Sequence, residues 1–290
     1  MIWAARRGLS ETELRELLRP ADQPQLPQAL WAPLRHAMED LLVDRGGILN
    51  FAHEYLRSAV ESAFVRDQDR QDTFQIQLAD YFEAQSLSER NSDELPWLLW
   101  QTESFMRLRV CLLDVDRFLE IHRRDQEEPV RYWVALGEER TMGQPYLESF
   151  DSWAGRVINE ETQIAFVASA LAYFLTAAAL YSGAEPLMRR ALVIDEASYG
   201  AEHPNVAIDL NNLARLLQAT NRLGEAEPLM RQMVEILLTF THVTSHPHPH
   251  LQAAINYIGL LEAMGRRPEE ISATLNVLGQ PYGISLGNQA

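Results

Sequence analysis

With 290 residues and 33.1 kDa the chain has length for about two domains, and 47% hydrophobic with 23% charged residues and only 14 Gly and 14 Pro excludes a disordered or fibrous protein. All 25 of its basic residues are arginine, set against 41 carboxylates for a formal charge of −16, which argues against a general phosphate-binding surface and removes both Schiff-base lysine chemistry and the lysine of a GxxxxGK[ST] phosphate loop. One cysteine, Cys111, excludes an intrachain disulfide and a cysteine-based zinc site, and MIWAARRGLS has no apolar signal segment, so the expected setting is cytoplasmic.

In chain order, residues 1–66 read as a small mixed unit. Ser10 with Glu13 three residues later is a capping-box pattern ahead of LRELL, Pro20, Pro24 and Pro27 mark a loop, and a helix follows over about 28–41. LLVDRGGILNF then reads as two short strands around an Arg-Gly-Gly turn, and HEYLRSAVESAFV closes the unit as a helix. Residues 67–158 read as a helical connector built from LADYFEAQ, ELPWLLWQTESFMRL, LDVDRFLEIH and PVRYWVALGEE, with Trp97, Trp100, Trp133 and Trp153 as its core anchors.

Residues 159–280 are repetitive, and 281–290 form a tail. SGAEPLMRRAL at 182–192 returns as GEAEPLMRQMV at 224–234, an offset of 42, and ASALAYFL at 168–175 lies the same distance before LNNLARLL at 210–217. A third copy at 253–271 fits an offset of 45 and loses a residue near Glu262. Each copy reads as helix, turn, helix, with Leu210, Leu213, Ala214 and Leu217 on one apolar stripe and Ala226, Leu229, Met230 and Met233 on the next. One such pair cannot bury its own apolar face, so pairs stack and leave a working groove between them. The fold class expected is therefore all-α in the main, an α-solenoid preceded by a helical connector and a small unit with one β-hairpin.

The AEPLMRRAL and EHPNVAIDLNNLA stretches resemble the 42-residue tetratricopeptide repeat of the kinesin-light-chain type, over roughly 160–278. IWAARRGLSETEL, LVDRGGILNFAHEYLR and DELPWLLW resemble the winged-helix segment that follows the nucleotide-binding domain in nephrocystin-type signal-transduction ATPases with numerous domains. The first resemblance implies a non-enzymatic scaffold that binds a peptide or protein, with no cofactor. The second implies an ATPase module acting in cis or in trans, so that the chain is either a free-standing adaptor or the regulatory part of a split or truncated switch.

In the repeat register implied by the first resemblance, Asn211, Arg215 and Gln218 face the ligand, with Ser169 and Tyr173 one copy earlier and Asn256 one later. Asparagine both donates and accepts, which suits the backbone of an extended peptide, and Arg215 suits a carboxylate; Asn212 is read instead as a bridge between helices. The second resemblance places a phosphate-sensing histidine at His53, between Phe51 and Tyr55, while the residues alone read it as a helix cap.

Three other readings are set aside. Arg35 opposes Glu39 and Asp40 on the helix that would enter DNA, against nucleic-acid binding. His242, His246, His248 and His250 are spaced around Pro247 and Pro249, which does not match a metal-ligand ladder. The uncharged run within 162–184 is alanine-rich and flanked by Glu160, Glu161 and Glu185, which favours a buried repeat helix over a membrane span. No catalytic constellation is present: Cys111 has no histidine nearby in sequence, and HEYLR lacks the second histidine of HExxH.

Overall fold

The computed structural model describes residues 1–158, 160–246 and 254–283, and the chain divides into two compact units, Met1–Glu139 and Arg140–Ala290. Among the described residues the protein is mainly helical, with 15 α-helices and one three-stranded sheet.

The first unit begins with a single 3-10 turn, Ile2–Ala4, followed by β1 (Leu9–Ser10) and α1 (Glu11–Leu17). The Ser10 hydroxyl accepts from the Glu13 N–H at 3.1 Å while Glu13 accepts from the Ser10 N–H at 2.7 Å, so both halves of the capping box are made. The next helix, α2 (Gln28–Ala37), stops short of residue 41, with Glu39 and Asp40 just past the C-terminus where the helix dipole disfavours negative charge. Its one buried side chain is Trp31, whose indole donates to Glu11 at 3.1 Å.

Strands β2 (Leu42–Arg45) and β3 (Ile48–Phe51) form the hairpin, in the register Arg45↔Ile48 to Leu42↔Phe51. Gly46 and Gly47 both have positive φ, +65° and +87°, as a two-residue turn of this twist requires. The sheet order is β1-β3-β2, so the hairpin acquires a third strand that the sequence did not suggest. Gly8, at φ +97°, precedes that strand, and a Cβ there would run into the Leu49 carbonyl oxygen. α3 (Glu54–Phe64) closes this part with no fully buried residue, tied down by Arg57, which donates to the Trp3 carbonyl at 2.8 Å.

The remaining helices of the unit are α4 (Gln68–Glu83), α5 (Glu89–Gln101), α6 (Phe105–Leu112), α7 (Val115–Arg124) and α8 (Glu128–Leu136). ELPWLLWQTESFMRL is thus two helices and not one. Glu103 adopts φ +50° between them, and the Thr102 hydroxyl bonds back to the Leu98 carbonyl at 2.9 Å. Of the three tryptophans expected to anchor this part of the core, Trp133 is fully buried in the unit, Trp97 is half-buried, and Trp100 is exposed and meets Tyr132 edge-on.

A buried ionic cluster joins the beginning of the chain to α5. The Glu94 carboxylate, itself fully buried, accepts the backbone N–H groups of Arg6 and Arg7, each at 2.8 Å, and the Arg90 guanidinium at 2.6 Å. Arg90 also donates to the Gly8 carbonyl, Arg7 pairs with Asp93 at 3.0 Å, and Arg6 pairs with Asp93 and Glu128. Desolvation raises the Glu94 pKa, and the Arg90 charge and the two backbone donors oppose it.

The second unit opens with α9 (Gly143–Ala154), which carries the buried Trp153 and is held to α11 (Tyr181–Tyr199) by Arg190, bonded to Asp151 at 2.7 Å and lying over the Phe150 ring. The helix pairs follow: α10 (Glu161–Ala177) with α11, α12 (Pro204–Ala219) with α13 (Leu223–Thr244), and α14 (Ala254–Ala263) with α15 (Pro268–Gly279).

Ala172, Ala184, Ala214 and Ala226 are fully buried where paired helices approach, and Ala179 and Asn221 occupy the same left-handed turn position 42 residues apart, at φ +59° in both. After each of these the chain returns a bond across the turn, from Leu180 N–H to the Leu175 carbonyl and from Arg222 N–H to the Leu217 carbonyl, both at 2.8 Å. In the third copy Tyr257, Leu260 and Leu261 take the buried places of Leu213, Leu216 and Leu217, an offset of 44 where 45 was expected, so Asn256 corresponds to Asn212. The uncharged run within 162–184 is interrupted by the turn at Ala178–Leu180, and no described helix is long and apolar enough to cross a membrane.

Candidate functional site in the helix pairs

A cavity of about 360 Å³ opens between the first two helix pairs. Ser169, Tyr173, Thr176 and Ala177 of α10, Tyr181 and Met188 of α11, and Asp209, Asn212, Arg215, Leu216 and Ala219 of α12 line it. These side chains meet because α11 packs against both α10 and α12, the geometry that a repeat of 42 imposes.

Ser169, Tyr173 and Arg215 of the expected groove residues line this cavity, with Tyr173 59% exposed and Arg215 exposed and without an ion pair among the described residues. Asn211 and Asn256 lie outside it and contact each other: the Asn256 amide donates to Asn211 Oδ1 at 2.8 Å, and the Asn211 amide approaches Asn212 Oδ1 at 3.5 Å. Three amides therefore run from one first helix to the next. Gln218 is half-buried and outside the cavity.

The sequence reading missed the polar residue at the floor of the cavity. Asp209 is 9% exposed, and its Oδ2 receives no hydrogen bond from any donor among the described residues. Its polar neighbours are the Asp195 carboxyl of α11 and the Ser169 hydroxyl of α10. Burial, reinforced by the adjacent Asp195 carboxylate, pushes Asp209 up to about 7, with the Ser169 hydroxyl acting in the other direction. Burial raises Asp195 as well, opposed by the Asp209 hydrogen bond and by His203. His203 itself caps α12 by accepting the Asn205 N–H at 3.1 Å, and stacks on Tyr199.

A signal for Asp209 was present in the repeat. Moving back 42 residues places it on Val167, which is fully buried, so a carboxylate stands where the preceding copy has an apolar packing residue.

His53 occupies the N-cap position of α3, yet its ring makes no capping bond and stacks on Tyr55 with centroids 5.4 Å apart. Arg35 is neutralised by Glu11 at 3.1 Å. Cys111 is buried, which pushes its thiol up to about 12. No group of three or more histidine, cysteine, aspartate or glutamate side chains with metal-binding geometry occurs among the described residues, and His248 and His250 lie outside them.

Comparison with known proteins agrees with the helix pairs. Residues 163–239, from within α10 to within α13, match the tetratricopeptide repeat model. Nephrocystin-3 of Mus musculus is 28% identical over 244 residues and that of Homo sapiens 28% over 242, in each case 80% of this chain and 18% of the relative. A TPR repeat-containing protein of Dictyostelium discoideum is 26% identical over 140 residues, covering 48% of this chain and 8% of that protein. The chain spans less than a fifth of the length of the nephrocystin-3 relatives it matches.

Proposed function

We propose that this protein is a non-catalytic scaffold whose tetratricopeptide helix pairs bind a peptide or protein partner, in a cytoplasmic setting. The observation that carries the reading is the juxtaposition of an exposed Tyr173 and an unpaired Arg215 on one cavity, beside the amides of Asn211, Asn212 and Asn256. An aromatic ring supplies area, the guanidinium takes a carboxylate, and amides match a peptide backbone. Ser169 at the cavity wall and Gln218 on the next turn of α12 complete the surface. The test uses the full chain as bait. Arg215→Glu and Tyr173→Ala are expected to lose the captured partner while retaining native helix content, and capture unchanged in both variants would overturn the reading.

A second reading is favoured by the match to nephrocystin-3 and by the N-terminal sheet and helices. Here residues 1–66 act as a winged-helix unit, residues 67–158 as its connector, and the whole as the sensor and repeat portion of an ATP-driven switch, with His53 at the contact to a nucleotide-binding module in cis or in trans. The apolar side chains that this unit leaves exposed, Leu30 and Leu34 of α2 with Tyr55 and Phe64 of α3, supply a surface for such a module. Co-purification of the chain with a phosphate-loop ATPase encoded beside it, dependent on nucleotide and weakened by His53→Ala, is the expected result. No association with or without ATP would remove this reading.

A further inference from the structure

We infer that the cavity between the first two helix pairs takes the cationic head of an arginine or lysine side chain presented by the partner, with Asp209 as its counter-ion. The inference rests on the groove reading above and names what one part of that groove recognises.

Asp209 is more than nine-tenths buried, lines the cavity, and has an oxygen that no donor among the described residues reaches. A buried acceptor left without a donor is costly, and a charged one more so. A guanidinium or ammonium entering the cavity supplies donor and counter-charge together, with the Ser169 hydroxyl beside it. The other walls suit the stem of such a side chain. Tyr173 and Tyr181 offer aromatic faces for a cation, and Met188, Leu216 and Ala219 offer apolar surface to its methylenes.

The chain carries a formal −16, so the field around it draws basic partners. Arg215 is the cation of the cavity wall. It stands six residues beyond Asp209 on α12, roughly 9 Å of helix rise, and it is exposed, so solvent screens it from the floor. A partner with an acidic residue near its basic one satisfies both ends of the cavity.

The test follows the Met188 methyl signal of the full chain, labelled with ¹³C-methyl methionine and assigned with Met188→Leu. The probes are the capped tripeptide acetyl-Ala-Arg-Ala-amide and its citrulline counterpart, which has nearly the same shape without the charge. The arginine peptide is expected to shift Met188 saturably and the citrulline peptide to bind at least tenfold more weakly. Asp209→Asn is expected to abolish that difference. Asp195→Asn, which removes the neighbouring carboxyl and leaves Asp209 in place, is expected to keep the preference for the arginine peptide; loss of that preference would make Asp195 the counter-ion and overturn the inference, and this variant decides the matter if Asp209→Asn does not fold.

Equal shifts from both peptides would overturn the inference and leave the groove reading standing. Silence of Met188 with both would overturn it too, and the groove reading would then be judged on bait capture alone.

Discussion

The side-chain amide of Asn256 donates to Asn211 Oδ1 at 2.8 Å, joining α14 to α12 across 45 positions of sequence. Both residues are half-buried, so the bond holds two first helices in register without charge. Replacing Asn211 by Ala is expected to cost about 1 kcal/mol. Urea unfolding checks this, with a lower midpoint at unchanged slope, and the Asn211→Ala/Asn256→Ala pair should be less than additive.

Asp209 ties stability to pH. Its folded pKa of about 7 lies above the ordinary aspartate value of 3.8, so the fold favours the protonated acid. That contribution is fully present below about pH 4 and is lost as pH rises through about 7. Burial and Asp195 of α11 raise it, Ser169 of α10 opposes them, and His203 at the start of α12 acts on Asp195. Between pH 5 and 8 the wild type is expected to lose on the order of 2 kcal/mol relative to Asp209→Asn. Thermal melts of both proteins across that range measure the difference, and parallel curves would contradict it.

Arg90 balances the buried Glu94 while holding the Gly8 carbonyl and Glu13. Arg90→Leu leaves the carboxylate with only its two backbone donors. The expected loss is about 3 kcal/mol at neutral pH, since an uncompensated buried charge is expensive. It should shrink in acid, because the raised pKa of Glu94 lets the carboxyl protonate readily. Urea titrations at two pH values provide the check.

Two glycines face each other where α9 meets α11, and they differ in room. A Cβ on Gly183 would lie 3.1 Å from Gly143 Cα and 3.2 Å from Leu175 Cδ1, whereas one on Gly143 finds its neighbours at 3.7 to 4.0 Å. Gly183→Ala is expected to destabilise by roughly 1 to 2 kcal/mol through overpacking, and Gly143→Ala to be neutral or slightly stabilising. Comparison of their melting temperatures decides it.

The helix pairs were legible because their information is periodic. Leu171, Leu213, Ala172 and Ala214 recur at one spacing, and burial then follows from stacking. The hairpin was legible because an Arg-Gly-Gly turn admits few backbone conformations. What escaped was non-local. Nothing near Leu9 announces that it will pair with Leu49, and nothing near Arg6 and Arg7 announces Glu94, nearly 90 positions away. In the candidate site, Ser169, Tyr173 and Arg215, picked out by register, line the cavity. Asp209 was passed over because a carboxylate on a helix is ordinarily solvated, and its burial depends on α10 and α11 closing around it.

The all-arginine composition has a consequence for how the protein's charge can change. Guanidinium groups hold Asp93, Glu94, Glu128 and Glu185, and a guanidinium stays charged throughout the biological pH range. With no lysine in the chain, side-chain acetylation has no substrate here. The positive half of these pairs is therefore constant, and every pH-driven change in their charge must come from the carboxylates. Acidification moves the chain from its formal −16 toward neutrality by protonating carboxylates and histidines without altering a single guanidinium, so its electrostatic attraction for basic partners fades.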